Sequence, residues 1–182
     1  MVKLRKFRTL FMVVILLTIL SMTVFANPYP ATLDNGNLVL VDGGMGVGKY
    51  ADCSSAVVEK HEPPDYQIVV SVYPVTFSDD YYRQHGTYVG GSYKIDESFL
   101  LRFRYNWNHK TLRYEMDGDW QAWDVNHDYS HAEGQPMIPY AAEVAFVSAY
   151  NMKFFDTKTG YSTVLKSYRR VINDDLYKAL GI

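Results

Sequence analysis

Apolar positions in the middle of the chain follow the two-residue period of β-strands. Residues 66–77 (YQIVVSVYPVTF) are rich in β-branched and aromatic side chains and apolar on both faces, which indicates a buried central strand. From residue 100 the alternation is cleaner, and its apolar positions are Leu101, Phe103, Tyr105 and Trp107. Asp117-Gly118 is a strong hairpin sequence. Residues 100–125 therefore predict an antiparallel meander with one apolar face.

The polar positions of this meander predict ion pairs on its other face, because cross-strand neighbours of opposite charge stabilise a sheet. We expect Arg102 and Arg104 to pair with neighbours such as Glu115. Upstream, residues 37–42 (NLVLVD) predict a short strand. Residues 78–97, which combine glycines with several Asp and Tyr, predict a long connection.

Beyond residue 138 the apolar positions take the period of a helix. Residues 139–154 place Ala, Val, Phe and Met side chains at helical spacing, with Pro139 suited to the first turn. Two more helices are predicted, over residues 163–171 and residues 174–180, the last ended by Gly181. Strands first and helices last predict an α+β fold: an antiparallel β-sheet, arranged as a meander, with C-terminal helices packed on one face.

The first 26 residues have the pattern of a secretory signal peptide. Basic residues stand among the first eight positions, residues 10–25 are almost wholly apolar, and Val24-Phe25-Ala26 places small residues where a signal peptidase cleaves. We expect a signal peptide (1–26) and a single α+β domain (27–182), exported to the periplasm or the extracellular space. Its first partners would be signal peptidase and the export machinery, with no stable membrane anchor after cleavage. The alternative is an uncleaved anchor, since the apolar run is at the short end of what can span a bilayer.

The net charge of the predicted exported domain limits the classes of partner that it can bind. Without residues 1–26 the chain carries 14 Lys and Arg against 20 Asp and Glu, a formal charge of −6. Nucleic acid is excluded as a partner on this ground, because its recognition needs a basic surface. The single cysteine, Cys53, excludes an intramolecular disulfide and leaves three interpretations: a buried apolar residue, a free thiol or an intermolecular link.

The glycine-rich segment 43–49 (GGMGVGK) is close to a phosphate-binding P-loop, in which backbone N–H groups hold phosphates and a Ser or Thr hydroxyl binds magnesium. Tyr50 stands where that hydroxyl belongs, and the residues that follow are poor helix formers. We therefore expect no nucleotide ligand and interpret the segment as a connection between strands.

Oxygen-bearing side chains alternate in residues 124–130 (DVNHDYS), as they do at the start of a calcium loop. Tyr129 occupies the position of the sharp-turn glycine and Gln135 that of the bidentate glutamate, so only half of the motif is present. No cofactor is expected, and calcium or another divalent metal is the alternative. The candidate metal ligands are Asp124, Asn126, His127, Asp128 and His131. The competing interpretation is a polar loop.

The sequence contains no nucleophile elbow, zinc-hydrolase helix motif or cysteine with a nearby partner histidine. We expect a non-enzymatic envelope or secreted protein that binds a protein or glycan; the alternative is a metal-binding protein or hydrolase centred on residues 124–131. Tyr and Trp dominate binding hot spots. The candidate binding residues are Tyr81, Tyr82, Tyr88, Tyr93, Trp107, Trp120 and Trp123. Core packing is the competing interpretation for all of them, and the favoured one for Trp107.

Residues 50–55 (YADCSS), followed by apolar residues, a turn and the strand at 66–77, resemble the opening of surface-adhesin protein E type domains. Residues 116–120 (MDGDW) have a counterpart in that family as well. The resemblance covers residues 37–150 and implies a small exported bacterial domain in which a Tyr-x-Asp-x-x-Ser step leads into an antiparallel sheet. Members often carry a cysteine pair, whereas this chain has only Cys53. The chain is also similar to uncharacterised exported proteins of diderm Firmicutes, which implies no function.

Overall fold

The computed structural model describes residues 27–116, 118–124, 137–162 and 166–182. Within these residues, nine strands form one antiparallel sheet and two more form a separate hairpin. The sheet strands are β1 (Thr32–Leu33), β2 (Leu38–Gly44), β3 (Val47–Asp52), β4 (Val57–Glu62), β5 (Asp65–Phe77), β6 (Tyr93–Ile95), β7 (Phe99–Asn106), β8 (Thr111–Met116) and β9 (Asp119–Ala122). The hairpin strands are β10 (Thr159–Ser162) and β11 (Ser167–Arg170), and the α-helices are α1 (Asp79–His85), α2 (Met137–Tyr150) and α3 (Asp174–Ala179). Two 3-10 turns lie at Asp34–Gly36 and Cys53–Ser55. The predicted α+β class is confirmed.

Strand β5, 13 residues long, is the centre of the sheet. On each of its two sides, one strand pairs with its N-terminal part and a second strand pairs with its C-terminal part. On one side β4 pairs with its N-terminal half and β3 with its C-terminal half. On the other side β7 pairs with residues 65–72 and β6 with residues 75–77. Strands β8 and β9 continue outward from β7, as the predicted meander requires.

Helix α2 covers one side of the sheet, here called the helix face. The first core forms beneath it and contains Ile68, Val70 and Val72 of β5 together with Phe103 and Tyr105 of β7. The opposite side is called the far face. Successive strand residues point to opposite faces. The odd-numbered residues Tyr73, Val75 and Phe77 therefore pack on the far face, opposite the first core.

A second core therefore lies on the far face, over the β1–β2–β3 half of the sheet. Strand β2 divides its side chains between the two cores: Val39 and Val41 belong to the first, and Leu38 and Leu40 to the second. Tyr29, near the start of the described chain, and Tyr88 are buried members of this second core. The two cores share the sheet between them.

Helix α2 is held to the sheet by packing and by one buried hydrogen bond. All its residues from Pro139 to Val147 are buried, and the Tyr105 hydroxyl of β7 donates to the Ala142 carbonyl at 2.9 Å. Aromatic rings fill the contact, with Phe146 lying 5.1 Å from Tyr105 and 5.2 Å from Phe154 between ring centroids. Most α2 positions face protein, so the helix is apolar nearly all round.

Two predicted elements were wrong. Residues 78–97 are not a plain connection but contain α1 and β6; Ser78 caps the N-terminus of α1 and Gly86 takes a left-handed conformation at its C-cap. Residues 167–170 are a strand rather than the end of a helix over 163–171, because they pair with β10. Apolar spacing there was too short to distinguish a helix from a hairpin.

Other predictions are confirmed. The strands at 37–42 and 66–77 and the helices at 139–154 and 174–180 are present within a few residues, and the glycine-rich segment 43–49 lies in the hairpin of β2 and β3. Among the described residues no helix is both long enough and apolar enough to cross a bilayer. The predicted signal peptide (1–26) lies outside the described residues, and export remains a prediction.

Candidate functional site

The aromatic residues predicted to bind a partner fall into separate regions. Three tyrosine rings form one stack with Tyr88 in the middle. The ring centroid of Tyr88 lies 4.6 Å from that of Tyr82 and 4.8 Å from that of Tyr29. Tyr88 is only 6% exposed and belongs to the second core, whereas Tyr82 is 39% exposed at its edge. Tyr81 turns away from this stack, lies 4.1 Å from the His85 ring and donates its hydroxyl to the Val89 carbonyl.

Two of the three tryptophans pack against the first core. Trp107 stacks on Phe146 with a centroid distance of 5.6 Å, and the Lys110 ammonium lies 3.1 Å from the ring centroid of Trp107. Trp123 meets Phe155 edge-on at 5.3 Å. Trp107 therefore packs against the first core, with Phe146 and Lys110 both in contact with its ring.

Trp120 is on the far face, in strand β9. The Arg104 guanidinium lies 3.8 Å from its ring centroid, which is a cation–π contact between β7 and β9. Because Arg113 of β8 donates to the Trp120 carbonyl at 2.9 Å, the three strands are joined at this point. Trp120 is thus part of the far-face surface but is itself already in contact with an arginine.

A charged network crosses the far face over the N-terminal half of β5. Arg102 donates to Glu59 at 2.8 Å and to Glu115 at 2.5 Å, which confirms the predicted pairing for Arg102. The partners described for Arg104 are instead uncharged, Gln67 and Trp120. Gln67 donates to Glu59 at 2.6 Å and accepts from Arg104 at 2.8 Å. The hydrogen bond from Gln67, followed by that from Arg102, holds the pKa of Glu59 below its usual range. We call Glu59, Gln67, Arg102, Arg104 and Glu115 the far-face network.

Exposed apolar side chains flank β5 on the far face, beside this network and beside the second core. Val57 is paired with Val69, Leu100 with Ser71, Ile95 with Val75 and Tyr93 with Phe77, and each pair therefore shares the far face. Their exposed fractions are high: Leu100 66%, Val57 56%, Tyr93 45% and Ile95 42%. We call Val57, Leu100, Ile95 and Tyr93 the apolar band. Of the predicted binding residues, only Tyr93 belongs to it.

The sequence contains one clue to this band that our prediction missed. Leu100 stands in the polar register of β7, ahead of Arg102, Arg104 and Asn106 on the same face. An apolar residue in the polar register of an alternating strand marks an exposed apolar position. The sequence gives no such clue for Val57. The register of β4 shifts between Val58 and Lys60, so the alternation along this strand does not show which face Val57 is on.

The predicted metal segment is almost entirely outside the described residues. Asp124 is described and exposed, while Asn126, His127, Asp128 and His131 lie in the range 125–136. In the described part of the chain, no group of three or more His, Cys, Asp and Glu could hold a metal ion. A metal at residues 124–131 stays a prediction.

Glu143 of α2 is a buried acid that sequence reasoning also missed, although it is the only charged residue of that helix. It is 0% exposed, accepts from the Tyr177 hydroxyl at 2.8 Å and accepts from the Phe155 backbone N–H at 3.0 Å. Burial raises its pKa to about 7, against the lowering effect of these hydrogen bonds and of Lys110. With no exposed atom to reach a substrate, Glu143 connects α2, α3 and the segment after α2 rather than forming an acid–base site.

No protein-family model, curated protein or solved structure matches this chain. The resemblance to surface-adhesin protein E type domains therefore remains a prediction that depends on the residues quoted for it. The apolar band and the far-face network are the site that the geometry itself distinguishes.

Proposed function

We propose that this chain is an exported, non-enzymatic protein that binds a partner protein through the apolar band. The observation that carries the proposal is the exposure of Leu100 and Val57, 66% and 56%, on a sheet face next to a fixed charged network. Several exposed apolar side chains on one sheet face, with a polar border, are typical of interaction sites, because leaving apolar surface in water is unfavourable. Export is supported by the leader pattern of residues 1–26.

A protein partner fits this surface better than a glycan. The band consists of three aliphatic side chains and one tyrosine, whereas a sugar ring is bound by flat, accessible aromatic rings. Trp120, the nearby flat ring of the far face, already has Arg104 over it at 3.8 Å. Aliphatic side chains instead suit the apolar core of a protein interface, and the far-face network would form its polar rim.

Site-specific crosslinking tests the proposal directly. A photoreactive phenylalanine analogue replaces Leu100, or, as the control, Met45, which is fully exposed at the turn between β2 and β3. Each variant is expressed in the source cells and irradiated. We expect one partner band from position 100 and none from position 45.

Affinity then separates binding through the band from incidental proximity. Leu100→Asp places a charge in the centre of the proposed interface, and we expect it to weaken binding of the crosslinked partner by about 30-fold, the effect of a hot-spot residue of about 2 kcal/mol. Met45→Asp should leave the affinity unchanged. Equal binding by wild type and Leu100→Asp would contradict the proposal.

Self-association is a distinct outcome of the same experiments. If position 100 crosslinks to a second copy of the chain, and sedimentation shows a dimer that Leu100→Asp dissociates, the band is a homodimer interface and the proposed foreign partner is wrong. Cell fractionation checks export separately. Uncleaved chain in the cytosol would overturn that part of the proposal and leave the interface experiments unaffected.

A further inference from the structure

Only half of the described lysines form ion pairs with acidic side chains. Eight lysines lie among the described residues, and four of them form ion pairs with carboxylates: Lys49, Lys60, Lys94 and Lys178. Lys110, Lys153 and Lys158 form none within the described part of the chain, and all three line the same cleft. In a domain whose formal charge is −6 after the leader, three cations without carboxylate partners in one concavity are unexpected.

This cleft lies between the turn that joins β7 to β8 and the segment that follows α2. Its volume is about 700 Å³, and Trp107, Met152 and Phe155 form apolar parts of its wall. Protein sites for small molecules have volumes of about 300–1,000 Å³ and combine apolar walls with a few polar groups. The cleft therefore has the size and the lining of a small-molecule site.

The lysine ammonium groups are held in place by uncharged partners. Lys110 lies over the Trp107 ring, Lys158 donates to the Lys110 carbonyl, and Lys153 lies 4.2 Å from the Tyr177 ring centroid. Lys110 and Lys158 are both partly buried, and this burial lowers the pKa of both side chains. Rings and carbonyls fix these cations without neutralising them.

In the part of the chain that the structure describes, the acidic groups near the cleft do not balance this charge. Of the described residues that line the cleft, three are lysines and one, Asp156, carries a carboxylate. Glu143 lies behind the wall with no exposed surface, and burial raises its pKa to about 7, so it keeps its proton more readily than a surface glutamate. The cleft is a cationic concavity on an acidic domain.

We propose that this cleft binds a small polyvalent organic anion, a di- or tricarboxylate or a phosphate monoester, with Lys110, Lys153 and Lys158 contacting its charged groups. Lysine ammonium groups act as point charges that suit either carboxylate or phosphate oxygens. The apolar wall of Trp107, Met152 and Phe155 would contact the carbon skeleton of the ligand. This site is separate from the apolar band and does not depend on the proposed partner protein.

Calorimetric titration tests the site with defined probes. Citrate, inorganic phosphate and, as the neutral comparison, glycerol are titrated into the purified protein at pH 7, with sodium chloride keeping the ionic strength constant. We expect saturable binding of citrate or phosphate and none of glycerol. Binding by citrate alone or by phosphate alone would support the site and identify its ligand class.

The chain offers a matched pair of lysine variants. Lys110 and Lys166 both lack an ion pair among the described residues and have nearly equal left-handed φ angles, 50° and 51°. Lys110→Gln should weaken binding of the better anion about tenfold, the effect of losing about 1.4 kcal/mol of charge interaction, and Lys166→Gln should leave it unchanged. Lys153→Gln, which alters a side chain outside the turn, gives the same test if Lys110→Gln does not fold.

Two results would overturn the proposal. One is the absence of saturable binding by both anions, and the other is an equal loss of affinity in Lys110→Gln and Lys166→Gln, which would show charge attraction spread over the surface. Amide chemical shifts give an independent check: the bound anion should move the signals of residues 107–110 and 152–158, and shifts elsewhere alone would place the ligand at another site.

Discussion

Replacing Glu143 by glutamine turns the one charged side chain that is fully buried among the described residues into a neutral group of nearly equal size. The glutamine carbonyl can accept from the Phe155 N–H, and its amide can donate to the Tyr177 hydroxyl, so the variant reproduces the protonated carboxyl. Only the capacity to ionise is removed. The substitution therefore isolates what the buried charge costs the folded state.

The direction of the effect follows from the raised pKa. In the folded protein the pKa of Glu143 is about 7, against 4.5 for an ordinary glutamate, and the unfolded chain has the ordinary value. The stabilising effect of the protonated carboxyl is complete below pH 4.5 and is lost as the pH rises through about 7. Integrated between pH 5 and pH 8, wild type should lose about 2.5 kcal/mol of unfolding free energy relative to Glu143→Gln.

Urea unfolding of both proteins at several pH values between 5 and 8 measures this difference. The other ionisable groups are common to both proteins, so their contributions cancel when the two free energies are subtracted. A difference that stays constant within about 0.5 kcal/mol across this range would refute the argument from burial. Carbon-13 NMR titration of the Glu143 carboxyl should independently show a midpoint near neutral pH.

Three further predictions concern single groups. Tyr105→Phe leaves the buried Ala142 carbonyl without its hydroxyl donor and should lower the unfolding free energy by about 1–3 kcal/mol, measured by urea unfolding. Asn173→Ala removes the cap that accepts from the Leu176 N–H of α3 and should cost about 1 kcal/mol; an unchanged melting temperature would contradict the capping role. Burial raises the pKa of the Cys53 thiol, so it should react with a thiol reagent much more slowly at pH 7 in the folded protein than in urea.

Sequence periodicity predicted the sheet well where one face of a strand is buried and the other is not. The alternation of β7 placed Leu101, Phe103 and Tyr105 in the core and Arg102 opposite Glu115, as the structure has them. Periodicity failed for β10 and β11. All four residues of β11, Ser167–Arg170, are exposed, so no pattern of buried apolar positions distinguishes a strand from a helix there. Pairing with a neighbouring strand, which sequence alone does not show, determines that hairpin.

The candidate site was harder to predict, because aromatic and aliphatic residues occur both in the core and on a binding surface, and residue type alone does not distinguish the two. Tyr88 and Trp107 are both candidate binding residues by type, with core packing the favoured interpretation for Trp107, and in the structure both pack against other rings. Leu100 stands in the polar register of β7, and its pairing with Ser71 shows that it faces away from the helix. The lysines of the cleft are far apart in sequence, so only the fold brings Lys110 and Lys158 together.

The division of β5 between two cores restricts how this protein can change in length during evolution. Ile68, Val70 and Val72 fill the core beneath α2, whereas Tyr73, Val75 and Phe77 face the core on the far face. Inserting or deleting one residue near Ser71 would rotate every later side chain to the wrong side, with Val75 and Phe77 moved out of their core. Homologous chains should therefore vary in length in the loops and keep this strand free of insertions and deletions.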